Sequence, residues 1–334
     1  MSDQTGTMWA GVIDRHGGPE ELTYRRFDRP APGPGELLVK VRYCSLNALD
    51  FFVRRGVPGI HVQLPHISGG DVVGWVDQVG EGVDAALLGE LVLVDPLIEG
   101  AALGEARRGG LAEFVAVPAS SVIPLGSDTL HPEYFAALPI AYGTAHRMLH
   151  SRAGLHPGET VVVLGAAGGV GVACLQLARL AGARTIACSS SAEKLALLAE
   201  LGVDETIDTS KEDYSARVWE LTGRRGAEVV VDYVGQDTFA RSVRCMRAGG
   251  RLVTCGASSG AEVTLDLRYV WVRELTLLGS DGWRRNDLDT LCELVREGRL
   301  APVIHRVFPL SEVAAAVAEV EERRAFGKVL VEVG

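Results

Sequence analysis

Seven residues with almost no side chains, Gly165-Ala166-Ala167-Gly168-Gly169-Val170-Gly171, follow directly on the apolar run Val161-Val162-Val163-Leu164. A turn so poor in Cβ atoms lets the backbone reverse tightly and lets a pyrophosphate approach bare amide groups. Residues Val172 to Ala181 carry the apolar spacing of a helix, and Gly182 is placed to end it. The start of that helix would offer unpaired N–H groups and partial positive charge to an anion. The pattern is Gly-x-Gly-x-x-Gly with Ala166 in the first place, so Ala166, Gly168, Gly169, Val170 and Gly171 are the candidate phosphate contacts. The next apolar stretch, Arg184 to Cys188, leads into Ser189-Ser190-Ser191, with Lys194 close behind. An acid at that strand end would bond the ribose 2′-hydroxyl and repel a 2′-phosphate, and none is there. Hydroxyls and an ammonium suit a phosphate instead, so Ser189, Ser190 and Lys194 point to NADP(H) over NAD(H). Ser190 and Glu193 also fit a helix capping box.

The elements that must carry these residues read as two domains, for which 334 residues suffice. The early part holds strand signals at Leu37 to Tyr43, Val72 to Val79, Leu91 to Asp95 and Ala112 to Val117. Turns such as Pro30-Ala31-Pro32-Gly33-Pro34-Gly35 separate them, and Glu99 to Gly110 reads as a surface loop. A helix is expected over Pro132 to Ala153. Strands and helices then alternate to Leu275–Gly279, giving about six strands, the number in a doubly wound parallel sheet. The tail holds helices from Arg284 to Gly298 and from Ser311 to Arg324, then a strand from Lys328 to Val333 that could return to the β-rich part. With 47% hydrophobic and 23% charged residues and a mean hydropathy of +0.15, the chain is globular. A net charge of -10 argues against nucleic-acid or anionic-membrane partners. No stretch approaches a membrane span, Met1 to Thr7 is polar, and six scattered cysteines read as reduced thiols of a cytoplasmic protein.

In order along the chain stand Cys44-Ser45-Leu46-Asn47-Ala48-Leu49-Asp50, Pro65 to Gly74 with Gly69-Gly70-Asp71, and Gly110-Leu111-Ala112-Glu113-Phe114. After them come Ala141-Tyr142-Gly143-Thr144-Ala145, the glycine turn, Val253-Thr254-Cys255-Gly256 and Phe326-Gly327-Lys328-Val329. This series resembles the medium-chain dehydrogenase/reductase superfamily over essentially the whole chain, specifically its zinc-independent quinone oxidoreductase and zeta-crystallin branch. The resemblance implies a Rossmann domain over residues 129–282 and a discontinuous GroES-like β-rich domain over 1–128 and 283–334. It also implies a homodimer joined near Val263 to Gly279. Zinc-dependent relatives carry a Cys at the position of Asn47, a Gly-His-Glu at Gly69-Gly70-Asp71 and a further Cys at Ile140. None of these soft ligands is present, and a structural-zinc lobe has no counterpart between Leu91 and Pro118, so no metal is expected.

By the same resemblance, Asn47 would line the cleft beside the nicotinamide and Thr144 would help place the ring. Asp50 and Asp71 are candidate acids, the alternative for each being to anchor a turn or pair with Arg54 or Arg55, and Phe52 stands where quinone reductases often have a tyrosine. Gly256, Ala257 and Ser280, at strand ends on the cofactor side, are expected to touch ribose and nicotinamide, and Lys328 to reach the same cleft or lie exposed. Without a metal to lower an alcohol's pKa, hydride addition to a quinone or to the C=C of an α,β-unsaturated carbonyl is the favoured chemistry. The alternatives are an enoyl-thioester reductase, for which Arg54-Arg55, Arg107-Arg108 and Arg284-Arg285 could form a basic entrance, and a weakly catalytic NADPH-binding protein with a structural or sensing role.

Overall fold

Val161, Val162 and Val163 are fully buried, as a continuous β-branched run requires of a strand covered on both faces. The computed structural model, which describes residues 6–56, 61–98, 101–126 and 129–334, places them in strand Thr160–Leu164 of a six-stranded sheet. Its spatial order is Glu205–Asp208, Arg184–Ser189, Thr160–Leu164, Ala227–Val231, Met246–Thr254, Thr276–Gly279, all parallel. The chain winds to one edge, returns to the middle and winds to the other. Order therefore reverses between Thr160–Leu164 and Ala227–Val231, and a crevice at the carboxyl ends of those strands is where such sheets bind nucleotides. Val162, Ile186, Ile207, Val230 and Leu252 form the core beneath helices Tyr214–Leu221 and Phe239–Cys245.

This sheet belongs to one of two compact units, Ala141–Leu291; the other comprises residues up to Ile140 together with Cys292–Gly334. The second unit is built on a seven-stranded sheet ordered Ile304–Pro309, Lys328–Glu332, Glu36–Ser45, Asp71–Val79, Leu91–Val94, Val122–Pro124, with Phe114–Pro118 also paired to Glu36–Ser45. The last strand of the chain thus lies inside the sheet, antiparallel to Glu36–Ser45, with Leu330 opposite Ser45 and Glu332 opposite Tyr43.

Two expectations change, and three strands come without one. The stretch read as a surface loop is largely interior: Glu99 and Gly100 lie outside the described residues, but Leu103 is fully buried. The Gly109 amide there bonds Ile67 O, and a Cβ on Gly109 would sit 2.1 Å from Gly69 O. Its glycines serve close backbone contact, not exposure. The helix expected over Pro132 to Ala153 is instead a succession of short segments, Pro132–Ala136, Leu138–Gly143, Thr144–His146 and Arg147–Arg152, two of them with wide i→i+5 turns. Pro139 lacks the N–H that a regular helix would need there. The hairpin Thr7–Ile13 with Leu22–Asp28 and the strand Ile304–Pro309 were not legible; half-buried Arg25 and Arg26 interrupt the alternation of Leu22–Asp28, and exposed His305 and Arg306 that of Ile304–Pro309.

Candidate functional site

Gly165, directly after the central strand, takes φ +65°, a region open to glycine without strain. Gly168 precedes helix Gly169–Leu180 in extended conformation, and the first i→i−4 bond of that helix is Val172 N to Gly168 O. The amides of Gly169, Val170 and Gly171 therefore have no carbonyl behind them within the helix. A Cβ on Gly171 would lie 2.6 Å from Gly165 O and 2.8 Å from Ala166 C, so no side chain fits. At Gly168 the nearest atoms would be 3.6 Å away, which leaves space above the turn. Ala166 is fully buried beneath it. These are the features a pyrophosphate needs, and the residues fit it. Tyr233, which the sequence reading did not single out, donates its hydroxyl to Gly165 O at 2.7 Å. Burial pushes that phenol well up, Cys174 and Cys255 add to the shift, and the Gly171 amide opposes it.

At the end of Arg184–Ser189, Ser189 Oγ accepts the Ser191 amide and Ser191 Oγ accepts the Lys194 amide. Ser191, not Ser190, therefore caps helix Ala192–Glu200, leaving Ser190 exposed. Asp208 lies opposite Ser189 on the neighbouring strand. Hydrogen bonding from Lys211, at 2.9 Å, and from Ser210 holds its carboxyl down at about 2.

Beyond the ends of Met246–Thr254 and Thr276–Gly279 is a cavity of about 580 Å3 lined by Gly256, Ser280, Asp281 and the three arginines Arg147, Arg152 and Arg284. Ser280 is 9% exposed, and its Oγ, though buried, has no hydrogen-bond partner among the described residues. Ala257 follows just outside this lining, its carbonyl bonded by the Gly260 amide. Thr144 is buried at the start of Thr144–His146. On the same run, His146 Nδ1 meets Asp287 Oδ1 at 2.7 Å, and the His146 ring lies 4.6 Å from that of His150, tilted by 45°. Burial, then the His146 charge, holds His150 down at about 4, with Asp287 opposing.

The other unit contains a closed polar knot. Lys328 is 2% exposed, and its ammonium donates to Leu46 O at 2.9 Å, Asn47 Oδ1 at 2.6 Å and Asp71 Oδ2 at 3.2 Å. All three N–H bonds are thereby engaged, so Lys328 is not an exposed lysine at a strand start. Asn47 Nδ2 donates to Asp71 Oδ2 at 2.9 Å and Ser45 O at 3.3 Å, while Asp71 Oδ1 accepts the Ile140 amide at 2.9 Å. Asp71 thus links two of the three positions where zinc-dependent relatives carry ligands. At the third, a Cβ on Gly70 would lie 2.8 Å from Leu103 O and 2.9 Å from Ile140 Cδ1, so a histidine has no room. Among the described residues no group of three or more His, Cys, Asp or Glu could hold a metal. Asp50 caps helix Ala48–Arg55, taking the Asn47 amide on Oδ2 and the Gly69 amide on Oδ1. Burial raises it to about 6 despite those two donors. Asp71, also buried, is raised, with Lys328 and Asn47 pulling the other way. Of the arginine pairs considered for a basic entrance, Arg54 and Arg55 both pair with Glu321 and Arg107 with Glu36. Arg108 bonds Pro65 O and Arg285 pairs with Asp289. Only Arg284 lines the cavity.

Residues 33–127 match the alcohol dehydrogenase GroES-like domain, and residues 169–297 match the zinc-binding dehydrogenase domain. A quinone oxidoreductase of Pseudomonas aeruginosa is 32% identical, covering 95% of this chain and 97% of its own. A 2-haloacrylate reductase of a Burkholderia species is 30% identical over 97% and 98% respectively. A solved structure described as an NAD-dependent alcohol dehydrogenase superposes with a TM-score of 0.92 at 39% identity, covering 98% of this chain and all of the other. The chain belongs to the medium-chain dehydrogenase/reductase superfamily, in its quinone oxidoreductase-like branch. It is an oxidoreductase that binds a nicotinamide cofactor and acts on a small molecule.

Proposed function

We propose that the protein is an NADPH-dependent reductase that delivers hydride, without a metal, to a quinone or to the β-carbon of an α,β-unsaturated carbonyl compound. The observation that carries this is the side-chain-free turn at Gly165–Gly171 followed by a strand ending in Ser189-Ser190-Ser191 with no acid. Ala166, Gly168, Gly169, Val170 and Gly171 would hold the pyrophosphate on main-chain amides. Ser189, Ser190 and Lys194 would take the 2′-phosphate. Asp208, one strand over, pairs with Lys211, and the strand end itself carries serines and no acid, which supports NADPH in this reading. Gly256, Ala257 and Ser280 would flank the ribose and nicotinamide, with Thr144 helping to place the ring.

The bound nicotinamide supplies the hydride; the chain supplies orientation and a preorganised field. In the second unit, Lys328 matches the buried charge of Asp71 and fixes Asn47, whose two N–H bonds are both engaged. Asp50 holds the loops that carry Asn47 and Gly69. The proton that completes reduction comes from solvent in this reading. The names of the relatives, a quinone oxidoreductase and a 2-haloacrylate reductase, support an electron-poor acceptor. A homodimer is proposed through strand Thr276–Gly279, the edge of its sheet, beside the exposed Trp271 and Val272.

The test is oxidation of NADPH and NADH, followed at 340 nm, with 1,4-benzoquinone, an enone and a primary alcohol in the reverse direction. Acceptor-dependent oxidation with preference for NADPH is expected. Tight NADPH binding with no acceptor-dependent turnover would instead favour the weakly catalytic carrier.

A further inference from the structure

The cavity beyond Met246–Thr254 and Thr276–Gly279 has an unusual charge inventory for an acidic protein. Acids outnumber bases in this chain, 43 to 33, and most of its arginines lie against carboxylates. Around this one cavity stand Arg147, Arg152 and Arg284, and among the described residues none of them makes an ion pair. Arg152 Nε donates to Gly279 O at 2.7 Å and Arg284 Nη1 to Trp283 O at 2.9 Å, leaving their other N–H groups available. The Arg147 side chain makes no hydrogen bond among the described residues, and its Nε is buried. The buried Ser280 Oγ is likewise unpartnered. The single acid on the wall, Asp281, is exposed and unpaired.

Like charges gathered in a concave, partly desolvated space repel one another, and a buried guanidinium N–H without an acceptor is costly. Both penalties vanish if an oxyanion occupies the space, because guanidinium groups bind carboxylate and phosphate through paired, charge-assisted hydrogen bonds. We infer that this cavity binds the oxyanion of a charged acceptor, a carboxylate or a phosphate, with Arg147 as the inner contact and Arg152 and Arg284 at the mouth, while Ser280 stays on the side that faces the nicotinamide. The neutral quinones and enones are then the poorer substrates, and an α,β-unsaturated acid or a phosphorylated acceptor the better one. This rests on the hydride-transfer reading only in assigning the anion to the acceptor.

The experiment is calorimetric titration of the cofactor-free protein with crotonate, methyl crotonate and inorganic phosphate, repeated with NADPH bound. Crotonate or phosphate should bind at least about tenfold more tightly than the ester, and NADPH should not displace it. The tighter of the two anions identifies the source. Arg147→Gln should remove most of that preference while Arg147→Lys keeps part of it. If neither anion outbinds the ester, if NADPH displaces the anion, or if Arg147→Gln weakens ester and anion alike, the inference falls. The wild-type comparison decides even if the variants fail to fold. Charge-dependent binding of crotonate by a protein that does not oxidise NADPH with any acceptor tried would sink the reductase reading and leave the anion site standing.

Discussion

Replacing Lys328 by methionine tests the polar knot directly. The change keeps length and apolar stem but removes the only cation that bonds Asp71 among the described residues; the Asp71 carboxylate has no exposed surface. Three acceptors lose a donor: Leu46 O, Asn47 Oδ1 and Asp71 Oδ2. Two donors, Asn47 Nδ2 and the Ile140 amide, remain on the carboxylate. Removing one partner of such a buried pair costs roughly 3–5 kcal/mol, chiefly as the penalty of the charge left behind. Neutralising that charge as well, in Asp71→Asn with Lys328→Met, should return about 2 kcal/mol or more relative to the sum of the single changes. Urea unfolding of the four proteins at pH 7.5, followed by circular dichroism, gives the cycle. A single variant that loses less than about 1 kcal/mol, or strictly additive effects, would refute the claim that Lys328 serves as the internal counter-charge.

Gly171→Ala should lower stability by about 1–3 kcal/mol, because its methyl meets backbone at 2.6 Å, and should weaken NADPH binding; thermal melting and fluorescence titration check both. Ser189→Asp should weaken NADPH by roughly tenfold or more through repulsion of the 2′-phosphate while sparing NADH; equal responses would mean the phosphate sits elsewhere. Asp50 is raised from 3.8 to about 6, so the folded state holds its proton longer and loses stability as pH rises through that window, by roughly 3 kcal/mol. The stability of Asp50→Asn relative to wild type should therefore climb between pH 4 and pH 6, and a flat difference would contradict the assignment. His150 is lowered from 6.5 to about 4, so it destabilises the fold as pH falls through that range. His150→Gln should flatten the acid limb, read by urea midpoints from pH 7 to pH 4. The two slopes oppose each other, so a wild-type pH scan alone would mask both.

The nucleotide sheet was legible because its strands are short, β-branched and punctuated by glycine, a pattern fixed by local sterics and two-sided burial. The Gly165–Gly171 turn was legible for the same reason, since its spacing is dictated by contacts a few residues apart. Tyr233 was not, because its link to Gly165 spans 68 residues and no spacing announces it. The knot was half-legible. Asn47, Asp50, Asp71 and Lys328 each stood out by type, but their mutual bonding depends on a strand that returns from the far end of the chain. For Lys328 the sequence suggested cofactor contact or exposure, and burial against Asp71 is a third outcome that only the sheet register reveals. The arginine cavity was invisible because its three guanidinium groups come from two separate segments.

Placing Lys328–Glu332 between Ile304–Pro309 and Glu36–Ser45 has a consequence for biosynthesis. On the ribosome, the first hundred residues emerge with an open flank in their sheet and an unmatched carboxylate at Asp71. They must wait for Lys328–Glu332 to be translated. The Thr160–Gly279 sheet is complete well before that moment. The middle of the polypeptide can therefore fold ahead of its beginning, and a ribosome stalled near residue 320 would carry a finished nucleotide lobe beside an unfinished partner.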